Sequence, residues 1–505
     1  MYTFSGKLKT FSIILMALGI IGIAYGFLTA PKTVEEVEAI LSEQHHGGHG
    51  SHDAHAAPAH GEATAHGANT ASHDAHAANH EEHTATVTAV INDSTAHAAD
   101  STETHTAHVT EVTPAHAEVN AHAAKADTHD AHAEHTKHLK HVLHQLQNKP
   151  WAAVYVGCIF FMLISLGIFT FNQIQYAASA GWSPVLFRVM EGLSAYLLPG
   201  SILFFLMLLA SSFHVNHNHL FIWMDADVVA NDPLIAGKTG FLNIPFFLIR
   251  AVLFLGGWNL FRILSRRNSL ALDETGDLTY FKKNFKLAAG YLVFFIITES
   301  IMSWDWIMSI DTHWYSTLFG WYVFASFFVT AVTIIALTTL YLKNKGLLEF
   351  VNTSHIHDLA KFMFGLSIFW TYLWFSQFML MWYANIPEEV TYFIFRIEEY
   401  NLPFFGMLAL NFLLPILLLI NTDFKRLSWI IVMAGACIIA GHYLDFFNMI
   451  MPGTVGASWF IGAAEIGSVL FFGGLFIFVG FSAIAKAPLL VKNNPMVEES
   501  KHFHY

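Results

Sequence analysis

Cysteine is almost absent from this chain. Of 505 residues only Cys158 and Cys437 are cysteines, each inside a long apolar run and far from the other in sequence. No C-x-x-C-H motif exists for covalent haem attachment, and no cysteine cluster for an iron–sulfur centre. Charge is also scarce. Asp, Glu, Lys and Arg make up 12% of the residues, against about 25% in a soluble globular domain. Histidine, abundant overall, is nearly missing from the apolar runs, where His442 alone lies well inside one. Bis-histidine haem ligation and haem–copper centres need several such residues, so the chain is not the haem-bearing subunit of a cytochrome bc complex or a terminal oxidase. Any electron transfer it joins must use redox centres carried by partners.

What the chain has is apolar length. Hydrophobic residues make up 54% and aromatics 15%. Runs of about 20 apolar residues each read as a membrane-spanning helix. Ten are expected, near 11–30, 151–172, 190–212, 241–264, 287–305, 316–342, 362–384, 403–420, 427–447 and 457–480. The loop charges agree with that number. Lys7 and Lys9, then Arg262, Arg266, Arg267, Lys282, Lys283 and Lys286, then Lys343, Lys345 and Lys361, then Lys425 and Arg426, then Lys486 and Lys492 all fall on one side if every run crosses once. The positive-inside rule makes that side cytoplasmic. The opposite loops are rich in acid: Asp225, Asp227 and Asp232, Asp305 and Asp311, and Glu388, Glu389, Glu398 and Glu399. Both termini are then cytoplasmic. The expected organisation is an anchor over 1–30, a His-rich extracytoplasmic segment over 31–149, a helical membrane domain over 150–485 and a cytoplasmic tail over 486–505. The first run is longer than a typical signal-peptide core and reads as a retained anchor.

Residues 45 to 144 hold 22 of the 31 histidines, with H-D-A-H-A recurring at His52, His73 and His129. The first part lacks apolar residues to bury and is expected to be disordered. The last part, from about Ala131, is expected to extend the second span as a helix. Two readings of the tract stay open: a solvated low-complexity insert, or an arm that binds metal or buffers protons near pH 6.5. A second cluster, His214, His217 and His219, reads as a polar loop contacting a partner, or as a metal site.

Polar groups inside the spans carry the functional argument, because an ionised side chain in a bilayer is costly. At ~1.5 Å per residue, Glu299 lies roughly 20 Å from the basic edge of its span. His442 lies about as deep, with Asp445 one turn on. Arg250 and Glu465 enter from the acidic side and lie within roughly 15 Å of it, and Gln377 is again in the outer part of its span. These five spans are expected to share one polar layer in the outer half. Glu191, beside Arg188, is the exception in the inner half. The bland alternatives are an ion pair for Arg250, a satisfied core pair for His442 and Asp445, and helix-to-helix hydrogen bonding for Glu465. The functional alternative is a layer of protonatable groups, or the polar end of a ligand cleft in which Gln377, Trp304 and Asp305 are candidate contacts. Most tryptophans near that level are ordinary interface residues.

Three segments support a family resemblance: H-L-F-I-W-M-D-A-D-V-V-A-N-D-P-L-I-A-G-K-T-G-F-L-N from His219, E-S-I-M-S-W-D-W-I-M-S-I-D-T-H-W-Y-S-T-L-F-G-W-Y from Glu299, and S-Q-F-M-L-M-W-Y-A-N-I-P-E-E from Ser376. Together they resemble the second NrfD-like (polysulfide-reductase-type) membrane subunit of bacterial alternative complex III, a quinol:cytochrome c oxidoreductase. The resemblance covers the first span and roughly 150 to 485, and excludes the His-rich segment. It implies an all-α integral membrane protein with two four-helix bundles and two flanking helices, in the bacterial inner membrane. It implies menaquinol or ubiquinol as the cofactor. The implied partners are multihaem and monohaem cytochrome c subunits, an iron–sulfur subunit, a homologous NrfD-like subunit and a terminal oxidase. On this reading Glu299, His442, Asp445, Glu465 and Arg250 handle protons or face quinol. Two rival classes are carried beside it. An ion-coupled secondary transporter also keeps acids in its spans, and Pro199 and Pro415 interrupt two of them, although no inverted repeat is visible. A purely structural anchor would use the polar layer as helix glue. Nothing in the charge distribution suggests nucleic-acid binding.

Overall fold

The computed structural model describes residues 2–47 and 119–504. The disorder expected for the first part of the histidine tract falls outside those residues. The described residues form helices and no strand. In chain order they are α1 (Gly6–Thr29), α2 (Val34–Gly47), α3 (Val119–Ala177), α4 (Phe187–Leu193), α5 (Leu197–Ser212), α6 (Ala226–Asn231), α7 (Pro233–Ala236), α8 (Ile244–Thr275), α9 (Thr279–Trp306), α10 (Phe319–Asn344), α11 (Thr353–Ala384), α12 (Pro387–Glu398), α13 (Asn401–Leu408), α14 (Leu414–Leu419), α15 (Ser428–Val455), α16 (Ala463–Ile484) and α17 (Val497–Lys501). Short 3₁₀ turns join several of them, and a π-helical segment, Ala409–Leu413, joins α13 to α14.

Among the described residues, ten helical stretches are long and apolar enough to cross a membrane, and each coincides with an expected span. The chain is a multi-pass membrane protein. Helix α3 extends the second span upstream, as expected, but begins at Val119 rather than near Ala131.

The chain divides into residues 1–41 with 135–505, which hold the spans, and residues 42–134. Within the first unit two spans are central. The apolar window of α3 is 94% buried and that of α10 83%, whereas α1 is only 11% buried. Helix α1 sits at the edge and packs along α16. Glycines allow that contact: a Cβ on Gly22 would lie 2.7 Å from Ala463 O, and one on Gly467 2.8 Å from Ile23 N. Small residues that let backbones approach are the usual glue where lipid supplies no hydrophobic drive. Elsewhere caps set the helix ends. The Asn243 side chain accepts from Phe246 N at 3.0 Å to start α8, which Gly276 ends at φ +70. Asn352 and His355 form a capping box on α11.

Side chains and loops tie each end of the bundle. At the basic end Arg188 donates to Glu191 at 2.6 Å and also to Asp273, while Arg266 donates to Glu191. Lys492 N meets Asp273 at 2.9 Å, and Ser500 Oγ donates to Trp182 O at 2.7 Å. At the acidic end Tyr155 OH donates to Trp306 O at 2.7 Å, and His219 N to Asn148 Oδ1 at 2.8 Å.

Candidate functional site

One fully buried polar group is built by four helical elements. His442 and Asp445 sit one turn apart on α15, both fully buried. Asp445 accepts from Tyr322 OH and, at 2.7 Å, from Ser326 Oγ, both on α10. It also accepts from Trp370 Nε1 on α11 at 2.8 Å. Ser326 Oγ lies 3.0 Å from His442 Nδ1. A hydroxyl has one proton, and Ser326 gives it to Asp445, so it accepts from His442 Nδ1. In a neutral imidazole this leaves His442 Nε2 as a bare acceptor, and that atom is buried without a partner. The fourth contributor is Asn411, in the π-helical segment, 3.4 Å from His442 Nδ1. Pro415 follows four residues later. A proline removes an N–H and crowds the carbonyl four residues back, and widened turns are a common response.

Tyr322 is also the wall of a pocket on the acidic side of this group, shared with Trp374, Gln377, Tyr392, Arg396 and Asn448. Arg396 comes from α12, which joins the seventh and eighth spans. Its side chain is 3% exposed. Nε donates to Asn448 O at 3.0 Å and Nη1 to Tyr392 O at 2.8 Å, and the guanidinium stacks 3.3 Å above the Tyr392 ring. No carboxylate among the described residues pairs with it, and Nη2 is buried without a hydrogen-bond partner. Gln377 Oε1 and Asn448 Oδ1 are likewise unpartnered. Burial pushes the Tyr392 phenol up to about 12, against the pull of the Arg396 guanidinium. The enclosed space is about 10 Å³, enough for about one water. Behind Trp374 the wall gives onto a groove of about 680 Å³ lined by Tyr372, Phe375, Phe405 and Phe412. Its aromatic sides are open, with Tyr372 64% and Phe375 51% exposed.

The expected single polar layer is divided. No hydrogen bond among the described residues joins the His442–Asp445 group to the other predicted positions. Arg250 and Asp305 form a bidentate pair at 2.5 and 2.7 Å, and Arg250 also donates to Phe241 O at 3.2 Å. Asp305, expected in the turn after the fifth span, is instead fully buried in the last turn of α9, because Arg250 supplies a partner there. Glu299 is buried with two hydroxyls for company, Ser303 Oγ at 3.1 Å and Ser300 Oγ at 3.4 Å, and no ion-pair partner among the described residues. Glu465 closes the capping box of α16 through Gly462 N at 2.9 Å, within electrostatic reach of Lys149. Trp304 is half-buried with Nε1 unpartnered and does not line the pocket. Of the three candidate cleft residues, Gln377 alone reaches the pocket.

Sequence reasoning missed Tyr322, Ser326, Trp370, Asn411 and Asn448, which carry no signal outside the fold. Arg396 did carry one: like Lys238 in the loop after the third span, it is a cation on the side that is otherwise acidic, here between Glu388 and Glu399. The second histidine cluster is partly assembled, with the His214 and His219 rings stacked at 4.9 Å and His144 5.7 Å from His219. Among the described residues no group of three His, Cys, Asp or Glu side chains is arranged to hold a metal. No family model matches this chain, and no curated protein matches it.

Proposed function

We propose that this chain is a membrane subunit of a respiratory quinol:cytochrome c oxidoreductase of the alternative complex III type, contributing a quinol-facing polar site. The observation that carries the reading is Arg396: a buried, unpaired guanidinium with a free N–H, facing a pocket whose Tyr322 wall is bonded to a buried carboxyl–imidazole pair. A bound quinol would supply two electrons to partner redox centres and two protons to this site. Arg396 Nη2 is a donor for a quinone oxygen, and Gln377 and Asn448 offer further polar contacts. Tyr322, Asp445, Ser326 and His442 are linked in series by hydrogen bonds and form a path along which a proton can be held and passed. The pocket as it stands admits one water. A ring enters as Trp374 swings toward the apolar groove, and that groove suits an isoprenoid tail arriving from the bilayer.

The motif resemblance supports the wider setting: the bacterial inner membrane, cytoplasmic termini, a periplasmic His-rich segment, and haem, iron–sulfur and NrfD-like partner subunits. Contacts of α10 with α11 and α15, and of α15 with α13 and α14, support grouping spans six to nine as one of two four-helix bundles. A structural-anchor reading draws on Arg250–Asp305 and Glu465, which are occupied as an ion pair and a cap.

The test is Arg396→Gln in the intact complex, with haem content as the measure of assembly. Quinol:cytochrome c turnover is expected to fall about 10-fold or more, as for loss of one charged donor. Normal turnover with normal haem content would reject the quinol-facing role and leave the anchor.

A further inference from the structure

The basic end of α8 presents a second concave site, unrelated to the first. Arg262 and Arg266 lie four residues apart on one helix face, and Arg267 adjoins them. Beside Ile263, Leu270 and Ala271 they line a cleft of about 450 Å³. The three guanidiniums are not equivalent. Arg266 is bonded to Glu191, which also accepts from Arg188 at 2.6 Å, and Asp273 is bonded to Arg188. Both of these carboxylates are thus already paired with arginine, with Glu191 Oε1 left without a hydrogen-bond partner. Arg262 and Arg267 have no ion-pair partner among the described residues, and Arg262 Nε is buried without a hydrogen-bond partner. Glu274, exposed at the end of the cleft, is the one acid that lines it. A buried guanidinium N–H lacking an acceptor is costly unless a ligand supplies one.

The surroundings name the ligand's chemistry. From the cleft toward the middle of the span, α8 exposes Leu264, Leu260, Leu253 and Ile249, the last three between 53% and 62%. Their spacing makes one continuous apolar stripe. On the neighbouring helix α9, Asn284 Nδ2 donates to Ser265 O at 3.1 Å, which fixes the register of the pair. That register sets exposed Lys282, Lys283 and Lys286 at the level of the arginines. Cations thus cluster at one level of a helix whose next turns are bare hydrocarbon-facing side chains.

We propose that the Arg262–Arg267 cleft binds the phosphate headgroup of an anionic phospholipid, whose acyl chains run along Leu260, Leu253 and Ile249. A free phosphate could satisfy the guanidiniums but would gain nothing from the apolar lining or the stripe. The inference rests on the membrane fold alone and is independent of the quinol reading.

The test uses the full chain, purified and delipidated in detergent, titrated with cardiolipin, phosphatidylglycerol or phosphatidylcholine and read by native mass spectrometry. Anionic lipid is expected to be retained and phosphatidylcholine not. Arg262→Gln with Arg267→Gln is expected to weaken anionic-lipid binding ~10-fold or more, at about a factor of five for each surface cation. Lys7→Gln with Lys9→Gln removes the same charge elsewhere and is expected to change nothing. Thermal melting checks that the double variant folds, and Arg267→Gln alone, on an exposed side chain, repeats the test if it does not. Equal retention of phosphatidylcholine overturns the proposal, as does full retention of anionic lipid by the folded variant. Complete displacement of the lipid by millimolar inorganic phosphate would instead make this a free-phosphate site.

Discussion

Arg250 and Arg396 are the same residue type in opposite states. Both are buried near the acidic end. Arg250 has a bidentate carboxylate in Asp305, so its charge is matched and its donors are used. Arg396 has two backbone carbonyls, an aromatic face and one idle nitrogen. Breaking a pair such as the first costs about 3–5 kcal/mol because a charge is stranded. The second is already stranded, which is why it reads as a site. Histidine shows the same dependence on neighbours. Burial, and then His214 and His144, hold His219 below its usual value, while Asp225 opposes them. The neutral form is therefore favoured in the folded loop. Its contribution to stability is intact above about pH 6.5 and is lost as pH falls toward the lowered folded value. With the slower chemical exchange at low pH divided out, amide protection in residues 213–220 is expected to fall between pH 7.5 and 5.5, and His219→Asn to flatten that dependence. A pH-independent wild-type loop would contradict the assignment.

Among the elements, α1 is the least embedded span and is held mainly by its seam with α16. That seam is made of absences: Gly19, Gly22 and Gly26 on one helix and Gly467 on the other leave room for backbone contact. Gly22→Leu places a side chain where a Cβ already meets Ala463 O at 2.7 Å. Overpacking of this kind costs about 1–3 kcal/mol. The variant is expected to melt lower than wild type, whereas Gly6→Leu, with nothing within 4 Å, should not. Equal melting of both would show that the seam is not close-packed. The π-helical segment before Pro415 makes the converse point. It is an irregularity that turns Asn411 toward His442, and the proline was the visible sign of it.

At the scale of the molecule, the C-terminal tail binds loops together at the basic end. Ser500 Oγ donates to Trp182 O at 2.7 Å, His355 Nε2 lies 3.1 Å from Ser500 O, and Asn352 Nδ2 donates to Phe503 O. Truncation after Asn493 is expected to lower Tm by roughly 3–8 °C, a few hydrogen bonds' worth for a domain of this size. An unchanged melt would mean that the tail rides on the fold without supporting it. The ten spans were legible from composition and order alone. Hydropathy over 20 residues and loop charge are local sums, and the bilayer imposes them on any chain that crosses it. Glu299, Asp445 and Gln377 could be singled out for the same reason, as polar groups in apolar runs. Their partners could not be. Whether a buried carboxyl meets Arg250, a serine or Tyr322 depends on how helices far apart in sequence rotate and pack. Only the tertiary structure divided one expected polar layer into an ion pair, a helix cap, an isolated acid and a buried hydrogen-bonded group beside an unpaired arginine.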